Sequence, residues 1–263
     1  MGLFVFLPLV LPLSAWPVAR LAELHLHPRT ATRLLAWVAA VMAGCSTLCL
    51  ALLGVAGSAY LLPGNQLPDS WAEPEVRAAV RYDGAAGGAA IPAFGLVAVA
   101  CGRTLWRHRR VTRRARRALA GLRDAPVAVL PDATPYAYAL PGTPGTPGRI
   151  VVTTALLDGL TPAERRALFA HERAHLAARH HRHLLAVHLA ARANPFLRPL
   201  RSAVVYTAER WADEDAARAV GDRRVVARAI GRAALLSSAA PTPTLAALAT
   251  TGPVPRRVAA LLA

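Results

Sequence analysis

From Leu34 to Leu62 the chain carries no charged side chain, a longer run than the roughly 20 apolar residues a helix needs to cross the hydrocarbon of a bilayer. No other feature restricts the fold as strongly. Backbone polar groups in lipid find no water, so such a stretch has to satisfy them internally as a helix. Two further stretches have the same character. Leu3 to Ala19 is uncharged, with Pro8, Pro12 and Pro17 along it, and Gly84 to Gly102 is uncharged and rich in Ala and Gly, the small residues that helix contacts in lipid favour. The first stretch reads as a span rather than a cleaved leader, because Met1-Gly2 supplies no basic start.

Charge then sets the orientation. Hydrophobic residues make up 54% of the chain and charged residues 17%, yet the net charge is +16 and every basic residue is Arg. The cations are therefore concentrated. Arg20, Arg29 and Arg33 face Glu23 alone between the first two stretches. Between the second and third, Asp69, Glu73, Glu75 and Asp83 outnumber Arg77 and Arg81. After the third come Arg103, Arg107, Arg109, Arg110, Arg113, Arg114, Arg116 and Arg117. Arginine-rich connections stay cytoplasmic, so the amino terminus is expected outside and everything after Trp106 inside. The arginine run reads as an anchor on anionic headgroups, worth about 1 kcal/mol per residue near the surface. No nucleic-acid-binding motif accompanies it, so no direct nucleic-acid partner is expected. Cys45, Cys49 and Cys101 lie in apolar surroundings without any zinc-binding spacing and read as packing residues.

The second half has the texture of a soluble domain. Pro126–Leu130, Tyr136–Leu140 and Arg149–Thr153 read as strands of a small antiparallel sheet, interrupted by the Gly142–Gly148 loop. Thr161-Pro162-Ala163-Glu164 is a capping-box helix start. No breaker follows before Asn194-Pro195, so one helix is predicted from Pro162 to about Ala193, and a second from Leu200 to Val220. The expected organisation is three spans within 1–106 (about 3–19, 34–62 and 84–102), a basic juxtamembrane segment 107–123, a catalytic domain 124–232 and a tail 233–263.

On the first predicted helix stands His171-Glu172-Arg173-Ala174-His175. Histidines four residues apart share one helical face and can bind one Zn²⁺ together. Zinc lowers the pKa of a bound water to about 7, and Glu172 is placed to take its proton. A catalytic zinc needs a third protein ligand. His181 has a known third-ligand spacing, but Ala178 stands where that pattern needs a helix-breaking Gly. On an unbroken helix His181 would lie about 9 Å further along the axis than His175. The acidic cluster Glu209, Asp213, Glu214 and Asp215 is the better source. A straight hairpin turning at Asn194-Pro195 places His175 about 28 Å and Glu209 about 22 Å from the turn, which favours Asp213 or Glu214 slightly without excluding Glu209.

Ile150-Val-Val-Thr-Thr-Ala-Leu-Leu-Asp158, the Thr161-Pro-Ala-Glu start, His171-Glu-Arg-Ala-His175, the Asn194-Pro195 turn and Glu209-Arg-Trp-Ala-Asp213 occur in the order seen in BlaR/MecR-type membrane metallopeptidases. The resemblance covers about Pro126 to Val220, with the amino-terminal spans in keeping. Those proteins, like the related HtpX-type proteases, are gluzincins. The resemblance implies an α-helical multi-pass membrane protein with a cytoplasmic α+β zincin-like peptidase domain and one Zn²⁺ per chain. It implies Glu209 as the third ligand and Asp213 as the carboxylate that orients a ligand histidine. The expected activity is endoproteolysis of a cytoplasmic or membrane-proximal protein, with a winged-helix repressor of the BlaI type as a substrate by resemblance alone. No small-molecule cofactor is expected. BlaR itself carries an extracellular β-lactam-binding domain, which these 263 residues do not include, so antibiotic sensing is not expected. Ile150, Val151, Val152 and Thr153 are read as an edge strand that pairs with extended substrate. The reading set against all this is a catalytically silent, zinc-containing membrane signalling protein.

The arginine asymmetry generates a topological prediction. A reporter fused after Arg123 should behave as cytoplasmic and one fused near Asp69 as external; an external Arg123 fusion would reverse the orientation.

Overall fold

The structure is a computed structural model that describes residues 7–61, 84–122, 125–237 and 253–262. The acidic connection from Asp69 to Asp83, the start of the first apolar stretch, Leu62, Arg123, Asp124 and most of the expected tail lie outside the described residues. The residues group into two units: 1–24, 34–106 and 186–201 form one, and 25–33, 107–185 and 202–263 the other.

In the first unit the apolar stretches are helical. A 3-10 turn at Leu11–Ser14, opened by proline, leads into α1 (Ala15–His25). Then follow α2 (Pro28–Leu61) and α3 (Gly84–Ala118). Three helical stretches, Leu7–His25, Pro28–Val55 and Gly87–Ala118, are long and apolar enough to cross a membrane, which suggests membrane association. Trp37, Leu48 and Leu96 are largely exposed on them, as befits surfaces solvated by hydrocarbon. Helix α3 runs on through the arginine run, because Arg is a good helix former and no breaker intervenes before Gly121. Polar side chains are satisfied inside this unit: Ser46 Oγ donates to the Pro8 carbonyl at 2.7 Å, and Asn194 Nδ2 donates to Ser46 Oγ at 3.2 Å.

The second unit opens with β1 (Val127–Leu130), β2 (Ala137–Leu140) and β3 (Arg149–Thr153). The sheet is mixed, not antiparallel: the order is β1-β3-β2, with β1 parallel and β2 antiparallel to β3. Strand β3 is therefore central: β1 pairs with it from Ile150 to Thr153 and β2 from Arg149 to Val152. That overturns the edge-strand reading of Ile150, Val151, Val152 and Thr153, since a strand paired on both sides has no ladder left to offer. The reason is visible in burial: Ile150, Val151 and Val152 are buried on both faces of the sheet, as a central apolar strand should be. The outer edges belong to β1 and β2. Thr153 N–H donates to the Tyr136 carbonyl, so by antiparallel alternation Tyr138 and Leu140 also face β3, and Ala137 and Ala139 turn their backbone groups outward.

Thr153 ends the sheet and caps α4 (Thr154–Asp158), its Oγ accepting from the Leu156 amide. Thr161 caps α5 (Pro162–Ala177) through a complete capping box with Glu164. The long predicted helix is then broken. Helix α5 stops at Ala177, Arg179 takes φ 52°, and α6 (His180–Ala193) starts afresh. A 3-10 turn at Pro195–Leu197 leads into α7 (Arg198–Val220), α8 (Arg223–Ser237) follows, and α9 (Val254–Leu262) closes the order. Leu156, Leu160 and Val152 pack with Leu168 and Leu236, joining sheet, α5 and α8. Val226 and Leu261 share a cluster with Ala167 and Ala216, so the end of the stretch expected as a tail packs into the core that supports α5 and α7.

The cap at Thr161 positions everything that α5 carries. Thr161→Ala removes the acceptor for the Glu164 amide and should cost about 1 kcal/mol, read as a lower Tm of the purified protein.

Candidate metal centre

Helix α5 presents His171 and His175 on one face, and their Nε2 atoms lie 3.0 Å apart. Helix α7 brings Glu209 to the same point. Its Oε2 is 3.6 Å from His171 Nε2, and its Oε1 is 3.4 Å from His175 Nε2. Among the described residues, these three form the one group whose donor atoms could hold a metal ion together. Two imidazoles and a carboxylate are a donor set of catalytic zinc, and tetrahedral zinc with bonds of about 2.0–2.1 Å sets its ligand atoms about 3.3 Å apart. The His171–His175 separation of 3.0 Å and the His175–Oε1 separation of 3.4 Å bracket that spacing, and one donor atom from each of the three residues lies within 4.8 Å of the others, so the residues fit the ion.

Asp213, one helical turn beyond Glu209, is fully buried. Its Oδ1 lies 3.0 Å from His171 Nδ1, on the side of the ring away from the donor triangle. Glu214 points elsewhere, paired with Arg223 at 2.7 Å and 2.9 Å. The straight-hairpin spacing that favoured Asp213 or Glu214 assumed one continuous helix, and the break at Ala178-Arg179 removes that assumption.

Arg257 of α9 is the residue the sequence reading missed. It is buried and forks onto Asp213, Nε to Oδ2 at 2.8 Å and Nη2 to Oδ1 at 2.7 Å. Its Nη1 reaches Glu209 Oε2 at 2.8 Å. One guanidinium thus grips two carboxylates spaced one turn apart, the planar bidentate geometry that Arg alone provides. Its only sequence signal is an Arg inside an apolar helical pattern at Val254–Leu262. His180 was also missed: its Nδ1 lies 2.8 Å from His175 Nδ1. His181, weighed on spacing, is not part of the donor group.

Burial and charge tune these groups. Burial raises the Glu172 carboxyl to about 7, against the lowering influence of His171, Arg257 and a hydrogen bond from the Ala139 backbone amide, with Glu209 adding to the rise. Burial opposes a charge on His171, but Asp213 and Glu209 outweigh it and raise that imidazole to about 10. His175 is lowered to about 4, first by burial and then by the neighbouring cations, with Glu209 and Asp213 opposing. Glu209 is held ionised against burial by Arg257 and the two histidines.

The centre opens on a cavity of about 400 Å³ whose other walls, Ser237 and Arg257 apart, are apolar, among them Leu156, Leu168, Val226, Ile230 and Val254. Ala137 of the free β2 edge also lines it. Strand edge, acid–base carboxyl and donor triangle therefore share one space.

Residues 102–194 match the model of peptidase family M48, whose members are zinc-dependent peptidases. No curated protein and no solved structure gives a match. The matched segment includes β1 to β3, α5 and the pair His171 and His175; Glu209, Asp213 and Arg257 lie beyond it.

Metal binding should be coupled to protons. In the metal-free protein His171 holds a proton well above neutral pH, and a metal requires that site deprotonated. Apparent zinc affinity should therefore rise up to about tenfold per pH unit between pH 6 and 8, measured by chelator competition, and His171→Ala or His175→Ala should abolish tight binding. A pH-independent affinity would show that His171 gives up no proton to the metal.

Proposed function

We propose that this chain is a membrane-bound zinc endopeptidase, with His171, His175 and Glu209 as ligands and Glu172 as general base. The observation that carries the reading is the donor triangle with an acid–base carboxyl of raised pKa beside it, at the bottom of a cavity bordered by a free strand edge. Zinc bound there would supply Lewis acidity toward a peptide carbonyl and make water a better acid.

The chain's own groups do the rest. A general base works best with a pKa near the working pH, and burial holds Glu172 there. Glu172 takes a proton from the attacking water and returns it to the leaving nitrogen. Asp213 faces His171 Nδ1, which keeps that proton in place and leaves Nε2 free to ligate. Arg257 occupies Glu209 Oε2 and leaves Oε1 as the oxygen for the ion. The outward groups of Ala137 and Ala139 are the positions where an extended substrate backbone can pair, in the role earlier assigned to β3. The Ala139 amide already bonds Glu172, so the base sits where the strand would place a scissile bond.

The finer reading, supported by the ordered motifs of the BlaR/MecR resemblance and by the arginine asymmetry, is a multi-pass bacterial membrane protein. Its peptidase half faces the cytoplasm, and its substrate is a protein such as a winged-helix repressor.

Glu172 makes no ligand contact in this assignment, so Glu172→Gln should retain zinc and lower cleavage by about 10²–10⁴. The comparison is between membranes carrying wild type and variant, following a co-expressed repressor and total membrane protein. Equal cleavage in both would refute the proteolytic mechanism.

A further inference from the structure

His175 and His180 are five residues apart, and on an unbroken helix that spacing leaves two side chains about 140° apart around the axis. In this chain they touch. Helix α5 ends at Ala177, and Arg179 enters the left-handed region at φ 52°, where residues other than Gly are uncommon. That turn swings His180 back over the end of α5. Its Nδ1 comes to 2.8 Å from His175 Nδ1, with ring centroids 4.8 Å apart. His180 is almost completely buried. Its ring packs edge-on against Trp211, centroids 4.6 Å apart. Trp211 is buried in turn, with the guanidinium groups of Arg29 and Arg33 at 5.5 Å and 5.1 Å from its ring.

Two nitrogens at 2.8 Å share one proton, and the chemistry of the centre decides which owns it. His175 Nε2 faces the donor triangle and must offer a lone pair there, so a neutral His175 carries its proton on Nδ1. His180 Nδ1 is then the acceptor, and the proton of His180 sits on Nε2. That atom is buried and has no hydrogen-bond partner among the described residues. Packing against Trp211 does not require this arrangement. A phenylalanine would fill the same space without stranding a polar atom, so the ring is present for its Nδ1 lone pair.

We propose that His180 is a positioning residue for the metal centre: by accepting the His175 Nδ1 proton it fixes the tautomer and ring orientation that turn Nε2 toward the ion. The left-handed turn at Arg179 and the Trp211 wall are the devices that hold it there. The proposal rests on the zinc-peptidase reading. It assigns a function to a residue which that reading leaves unused.

The test uses the full chain in detergent, with zinc alone as the probe by chelator competition and Co²⁺ substitution as a spectroscopic report of ligand geometry. His180→Phe keeps a ring against Trp211 and removes the acceptor; it should weaken zinc binding about 10–100-fold and shift the visible Co²⁺ bands. His180→Asn returns an acceptor oxygen near the Nδ1 position and should recover most of the affinity and the wild-type bands. Arg179→Val, which resists the left-handed turn without touching His180, should weaken zinc as well, whereas Arg179→Gly should not; this pair decides the matter if the Phe variant does not fold. Zinc affinity within about twofold of wild type in His180→Phe and Arg179→Val, or an Asn variant as weak as Phe, would overturn the proposal. A wild-type chain that binds no zinc would overturn the peptidase reading itself, an outcome distinct from wild-type binding with an indifferent Phe variant.

Discussion

Glu209 and Asp213 are carboxylates one helical turn apart, both nearly stripped of water, and they face two imidazoles that are themselves only partly exposed. Removing one such charge from water costs several kcal/mol unless other groups replace the lost solvation. Arg257 makes the arrangement tenable. Its guanidinium reaches both carboxylates at 2.7–2.8 Å and draws α9 onto α7. The apolar cluster of Ala167, Ala216, Val226 and Leu261 closes around that ionic cluster and fixes the angle at which α5 meets α7. The rest of the site inherits its geometry from that junction.

The sheet is small because its work is local. One central strand is buried to hold the assembly, and one outer strand turns an edge toward the cavity, where the Ala139 amide bonds Glu172. Ala137 and Ala139 carry minimal side chains there, so nothing bulky screens the backbone from the space in front of Glu172. An acidic group with a near-neutral pKa, an exposed ladder edge and an apolar cavity wall suit a polypeptide in extended form better than a compact small molecule.

Much of this was legible in the sequence because the governing signals are local. A capping box at Thr161 starts α5 where expected, and the four-residue spacing of His171 and His175 is a property of any helix. The long uncharged stretches were expected to be helices because lipid solvates no backbone, and their described parts are helical. What escaped was non-local or backbone-specific. Parallel pairing of β1 with β3 leaves no trace in alternation, since both partners are short and apolar. The break at Ala178-Arg179 contains neither Gly nor Pro, so nothing in composition announced it, and with the helix taken as unbroken nothing brought His180 back to His175. Arg257 stood in a stretch set aside as a tail, and its meaning lies in two carboxylates more than forty residues upstream.

That separation also has a temporal side. A growing chain exposes His171, His175, Glu209 and Asp213 well before Arg257 leaves the ribosome. Until α9 docks, the two carboxylates lack the cation that offsets their burial. Assembly of the metal centre thus waits on the helix that carries Arg257.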